Sequence, residues 1–171
     1  SEARSRRGFP SAREREVSDR VGQFARCHEI EAAITRHMGW SGQARLFLQA
    51  VPPPRGPSPL PDFWEQEGVL GALSNPDSLR VHGFNLSALD RPTPHEGAIT
   101  YFRDQRRALW LEPDGTMTLG ALALPDYLGW YVNKDRADGR LRLNPLVLAE
   151  LSLEFFRFVE NHLVPRALPM N

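Results

Sequence analysis

The groups able to do acid–base, nucleophilic or metal chemistry are five histidines, one cysteine and the carboxylates around them. His28, His37, His82, His95 and His162 are scattered. No two of them stand four residues apart on a helical pattern beside a carboxylate, the spacing a zinc-protease helix needs. His28 and His162 fall on apolar helix faces and read as packing residues, because a metal site needs three or four convergent donors. His95-Glu96 follows Arg91-Pro92-Thr93-Pro94 in an expected loop and could form an acid/base pair. The plainer reading, a solvated turn leading into a strand, is the one we prefer. Cys27 lies between Arg26 and His28, cations that could lower a thiol pKa. Adjacent residues on a helix point in different directions, however, so Cys27 also reads as packing. The nucleophile-elbow, phosphate-loop and dinucleotide glycine fingerprints are all missing from the sequence. No catalytic residue, metal or cofactor is therefore assigned.

Binding groups are easier to nominate. Arg4, Arg6, Arg7, Arg13 and Arg15 open the chain, offset by Glu2, Glu14 and Glu16, and arginine forks suit phosphates. They are the candidate contacts for nucleic acid. With 21 basic against 21 acidic residues the chain has no net field to attract a polyanion, so nucleic acid is possible but not favoured. Arg103, Arg106 and Arg107 surround Asp104 in what reads as a wet hairpin turn. Trp110, Tyr127, Trp130 and Tyr131, gated by His95, could line a small-molecule pocket between a sheet and the last helix. Trp40, Phe63 and Trp64 are the apolar residues expected at the surface, where they would meet a protein partner, a neighbouring domain or a second copy.

These residues need elements to position them. Ser11 and Glu14 have capping-box spacing, and Val17, Val21, Phe24, His28, Ile34 and Met38 then recur at helical intervals. The pattern predicts one long amphipathic helix from Ala12 to His37, stopped by Gly39. Arg45 to Val51 reads as a strand cut off by Pro52, Pro53 and Pro54, and the run to Pro61 as a stiff connector. A helix is expected from Asp62 to Leu73, then strands at Leu79–Phe84, Ala98–Phe102, Ala108–Glu112 and Thr116–Ala121. Pro113-Asp114-Gly115 joins the last two as a hairpin. Asp138-Gly139 is another turn, and Asn144-Pro145 starts a final helix with a capping Asn and Pro at the first position. That helix is expected to turn Leu148, Leu151, Phe155, Phe158, Val159 and His162 inward, to turn Glu150, Glu154, Arg157 and Glu160 outward, and to end at Pro165.

The order predicts an α+β fold with a mixed or antiparallel sheet, since a tight hairpin cannot join parallel strands. Residues 1–40 read as a basic arm and connector helix, and 41–171 as an α+β accessory domain. A composition of 41% hydrophobic residues supports a real core. A lone cysteine and no apolar run near the roughly 20 residues that span a bilayer lead us to expect a cytoplasmic protein free of membrane. The chain opens in a basic run with no Met, which reads as a piece of something longer.

Two passages carry a resemblance. Arg6-Arg7-Gly8-Phe9-Pro10-Ser11-Ala12-Arg13-Glu14-Arg15-Glu16 resembles the tail of the AlbA-type, Schlafen-related DNA-binding/ATP-binding domain of bacterial proteins, where an Arg-Gly passage leads into a long Glu/Arg-rich helix. Ala108 to Leu119, with its Asp114-Gly115 turn, followed by Leu146 to Leu163, resembles the region after that domain. The resemblance implies a prokaryotic cytoplasmic context, in regulation or in defence against foreign nucleic acid, with the AlbA-type domain upstream. The acidic cluster of nuclease-active relatives has no matching positions, so no catalytic residue is carried over. The expectation that follows is a noncatalytic accessory module for protein or inter-domain contact. The alternatives are a small-molecule or nucleotide sensor and a nucleic-acid-binding accessory region.

Overall fold

The computed structural model describes residues 11–52, 60, 68–74, 79, 86, 93–95, 97–103, 105–124 and 143–167. The first element is helix α1, Ala12–His37. It ends as a Schellman turn, with the Trp40 N–H donating to Thr35 O and Gly39 at φ +67°, a left-handed position that costs glycine least. Strand β1 (Arg45–Ala50) leads toward the proline run, and a short helix α2 covers Val69–Ser74. Strands β2 (Thr93–His95), β3 (Ala98–Arg103), β4 (Arg107–Leu111) and β5 (Met117–Leu122) follow. Helix α3 (Pro145–Phe158) begins with the Asn144 side chain accepting from Leu146 N and with Pro at its first position.

All pairings among these strands are antiparallel, in the order β1-β5-β4-β3-β2. The fold is thus α+β, and the antiparallel one of the two expected sheet types. The β4–β5 loop is the Pro-Asp-Gly turn: Asp114 Oδ1 accepts from Thr116 N at 2.7 Å, and Gly115 takes φ +94°.

Side-chain alternation divides the sheet into two apolar faces. Leu109, Leu111, Met117, Leu119, Ile99 and Tyr101 join one core with Val147, Leu151, Phe155 and Phe158 of α3. Ala98, Ala108, Trp110 and Leu122 join a second core with Ile30, Ile34 and Met38 of α1 and with Trp40. Every residue of β5 is consequently buried, although antiparallel sheets commonly leave one face wet. The three layers are α1, sheet, and α2 with α3.

Several expectations change. Thr93–His95, expected in a loop, is strand β2 paired with β3, and His28, expected to pack, has 77% of its side chain exposed. The N-terminal half of α1 does not share the face of its C-terminal half, as described below. Pro165 does not stop the last helix. A π turn at Val159–Leu163, in which Val164 N donates to Val159 O, is followed by a new turn α4, Val164–Ala167. The widened turn relieves the carbonyl four residues before the proline, and Pro165 falls at a position whose missing N–H is tolerated. Finally, α3 is rotated from the expected orientation: Glu150 and Glu154 are buried, whereas Leu146, Leu153 and Phe156 are exposed. Turning Val147, Leu151, Phe155 and Phe158 onto the sheet carries the two glutamates inward along the same flank.

Candidate interaction surface

Helix α1 carries two apolar stripes. Cys27, Ile30, Ile34 and Met38 face the sheet and are buried. At about 100° of rotation per residue, Val17, Val21 and Phe24 lie roughly a quarter-turn round the helix from them. Those three side chains are 56%, 63% and 69% exposed. Among the described residues the body reaches α1 only from Gln23 onward, where Gln23 Nε2 donates to Pro52 O at 2.8 Å as β1 runs out. The first turns of α1 therefore project past the sheet with an apolar side of their own. On the opposite face of the molecule, Leu146, Leu153 and Phe156 make a second exposed apolar strip along α3.

The projecting helix is held by a polar anchor. Glu112, at the end of β4, accepts a fork from Arg26: Nε donates to Oε2 at 3.1 Å and Nη2 donates to Oε1. Trp110 Nε1 donates to the same Oε1 at 3.3 Å, and Arg26 Nη1 reaches Glu29 at 2.9 Å. The Glu112 carboxylate, and secondarily Glu29, hold the Arg26 guanidinium charged well beyond its ordinary range. Beside it, Gln49 Nε2 bridges Cys27 O at 3.1 Å and Thr118 Oγ1 at 3.3 Å. At the other end of the helix Trp40 Nε1 donates to Gln105 O, 2.6 Å away in the β3–β4 turn.

Burial shifts three titratable groups of the body. Burial, reinforced by Glu31, Glu112 and Asp114, pushes the Cys27 thiol up, so it stays protonated and a poor nucleophile. Burial pushes the Tyr101 hydroxyl up to about 12, against a weaker opposing pull from Ser74. Burial also raises the Glu154 carboxyl, with Glu150 adding to the effect, while the Leu79 N–H and Arg107 oppose it. Glu154 Oε1 accepts from Leu79 N at 3.2 Å, and its Oε2 has no hydrogen-bond partner among the described residues. Those residues contain no group of three or more His, Cys, Asp or Glu placed to hold a metal ion. No described helix is long and apolar enough to cross a membrane.

The residues nominated from sequence divide as follows. Trp40 is not a surface contact: its ring is 1% exposed, wedged over Gly120, and ties α1 to the β3–β4 turn. Trp110 is buried on the α1 face of the sheet, so it cannot line a pocket between the sheet and the last helix. The half-buried His95 joins it there, its ring 5.4 Å from Trp110 and 5.7 Å from His37, which in turn stacks on Phe102 at 3.9 Å. Arg13 is exposed, and Arg15 lies in α1. Arg4, Arg6, Arg7, Phe63, Trp64, Glu96, Tyr127, Trp130 and Tyr131 lie outside the described residues, as does the expected strand at 80–84.

The surface is legible in the sequence of the long first helix. Val17, Val21, Phe24 and His28 follow a 4-3-4 spacing distinct from the 3-4-4 spacing of Cys27, Ile30, Ile34 and Met38. Taken as a single stripe, the two series mask each other. A scan against protein-family models finds no match to this chain, and searches of curated proteins and of solved structures return none. The Schlafen-related resemblance rests on the residues quoted for it.

Proposed function

We propose that this chain is a noncatalytic accessory module of a larger prokaryotic cytoplasmic protein, of the kind that Schlafen/AlbA-type regulators represent, and that it makes protein–protein or inter-domain contact. The observation that carries the reading is the exposed stripe Val17, Val21 and Phe24 on a helix anchored at one end and uncovered at the other. Isolated exposed apolar residues are ordinary, but three in register on a projecting helix form a groove-filling face. The strip Leu146, Leu153 and Phe156 on α3 gives the module a second such face on the far side of the sheet. The noncatalytic part of the reading is supported by where the reactive groups are spent: Cys27 is buried and protonated, and Glu112 is occupied by Arg26 and Trp110.

Photo-cross-linking inside the producing cells tests it, with the reactive side chain placed at Ser18 or Ala25 beside the stripe. Specific adducts that vanish when Val17, Val21 and Phe24 are changed together to Ser are expected. Adducts that are absent from the start, or that persist unchanged in the triple variant, refute the reading.

A further inference from the structure

The partner of the α1 stripe is itself readable from the charges on either side of it. Taking Val17 as the origin and about 100° per residue, His28 continues the line of Val17, Val21 and Phe24. One edge of the stripe carries the small residues Ser18, Ala25 and Ala32, which allow close approach of another helix. The other edge carries Arg13 and Arg20 in the projecting half and Glu31 in the anchored half. We infer that, in a deepening of the interaction reading above on which this rests, the stripe's partner is the same stripe on a second copy of this chain, packed antiparallel about a two-fold axis near residues 22–23.

In that arrangement Val21 of each helix meets Phe24 of the other, and Val17 meets His28. The charged edge meets itself reversed, so Arg13 of one copy comes level with Glu31 of the other, twice. A parallel two-fold pair would instead set this charged edge against the small-residue edge of the partner, so Arg13 and Glu31 would not meet. Among the described residues the body contacts α1 only from Gln23 onward, through Arg26, Ile30 and Ile34, so the described parts of the two bodies lie toward opposite ends of the helix pair. The chain's zero net charge removes long-range repulsion between copies. His28, 3.5 Å from Glu31 in one copy, sits at the outer layer of the pair, where its imidazole keeps water.

Sedimentation equilibrium on the full chain, with spin-label distances, decides it. A dimer is expected with Kd on the order of 10 μM, modest because the contact is smaller than a standard interface. Val21→Glu or Phe24→Glu should each weaken it at least about 100-fold while circular dichroism stays unchanged, since both residues are exposed in the single chain. Arg13→Glu should weaken it, and Arg13→Glu with Glu31→Arg should restore it. A label at Arg36→Cys, in a Cys27→Ser background, should report about 40 Å between copies in the antiparallel pair and under about 20 Å in a parallel one. A dimer indifferent to Val21→Glu and Phe24→Glu, or labels at the short distance, overturns the inference. A chain that stays monomeric to about 1 mM, far above the Kd expected for such a contact, overturns it too. The monomeric result leaves the broader reading to the cross-linking experiment, whose adducts would then be with other proteins.

Discussion

Replacing Arg26 by Met keeps the aliphatic stem against the sheet and removes the fork that holds α1 to β4. Glu112, with 11% of its side chain exposed, would retain the 3.3 Å contact from Trp110 but lose both guanidinium donors. Removing one member of a fully buried pair costs about 3–5 kcal/mol, because a charge is stranded. Arg26 itself is 47% exposed, so water screens the pair and can partly replace the donors. The expected cost of Arg26→Met is therefore about 2 kcal/mol, near the value of a single charge-assisted hydrogen bond. Glu112→Gln should cost about 1 kcal/mol, since the amide still accepts from Trp110. The double variant should fall short of the sum by about 1 kcal/mol, the coupling between groups in direct contact. Urea denaturation of the four proteins gives these quantities, and for a chain of this size 2 kcal/mol lowers Tm by roughly 4–8 °C. Hydrogen exchange should show the amides of α1 around Arg26 opening faster in Arg26→Met than in the parent. Strict additivity, or a cost for Arg26→Met below about 0.5 kcal/mol, would refute the claim that this fork anchors the helix.

Three further outcomes follow from the geometry. A Cβ at Gly120 would stand 2.8 Å from Phe47 Cε1 and 3.0 Å from Trp40 Cζ3, so Gly120→Ala should destabilise by about 1–3 kcal/mol in urea titration; a neutral effect would mean that the Trp40 ring is free to shift. Glu154 has a folded pKa raised above that of the unfolded chain, so the stability it contributes is present below the ordinary carboxyl value and is lost as pH rises through the folded one. Glu154→Gln should accordingly be more stable than the parent by about 1–2 kcal/mol at pH 8 and equal to it near pH 4, and a pH-independent difference would contradict the burial argument. The Cys27 thiol should react with iodoacetamide at pH 8 at least about ten times more slowly than free cysteine, rising to the free rate in urea, as mass spectrometry would record.

The local signals in the sequence were reliable where the chemistry that enforces structure is itself local. Gly39, Asn144-Pro145 and Pro113-Asp114-Gly115 act through their own backbone preferences, and α1 ends, α3 begins and the β4–β5 hairpin turns within a residue or two of where those residues place them. Strands β1, β3 and β5 likewise match their apolar runs. What could not be read was which face each helix turns inward, because that depends on partners distant in sequence. Glu112 comes to Arg26 across 86 residues, and no spacing rule announces such a pair. Trp40 illustrates the same limit. A tryptophan after a helix stop looks like a surface contact until the β3–β4 turn supplies the Gln105 carbonyl and Gly120 supplies the space.

The division of α1 into two faces then has a physical cause in the sheet beneath it. Strands β4 and β5 offer α1 a platform only as long as their five and six residues allow, roughly 17–20 Å at the usual rise per residue. A helix of 26 residues is about 39 Å long, so nearly half of it extends past the described strands. An overhang whose only task was to reach solvent would be stabilised by charge pairs such as Arg20 with Glu16 and would have no reason to carry valine or phenylalanine. Valine and phenylalanine are, besides, poorer helix formers than the alternatives, so they lower the stability of the uncovered turns. That local cost is offset only when something covers them, and this imbalance is the physical argument for the proposed contact on the N-terminal half of α1.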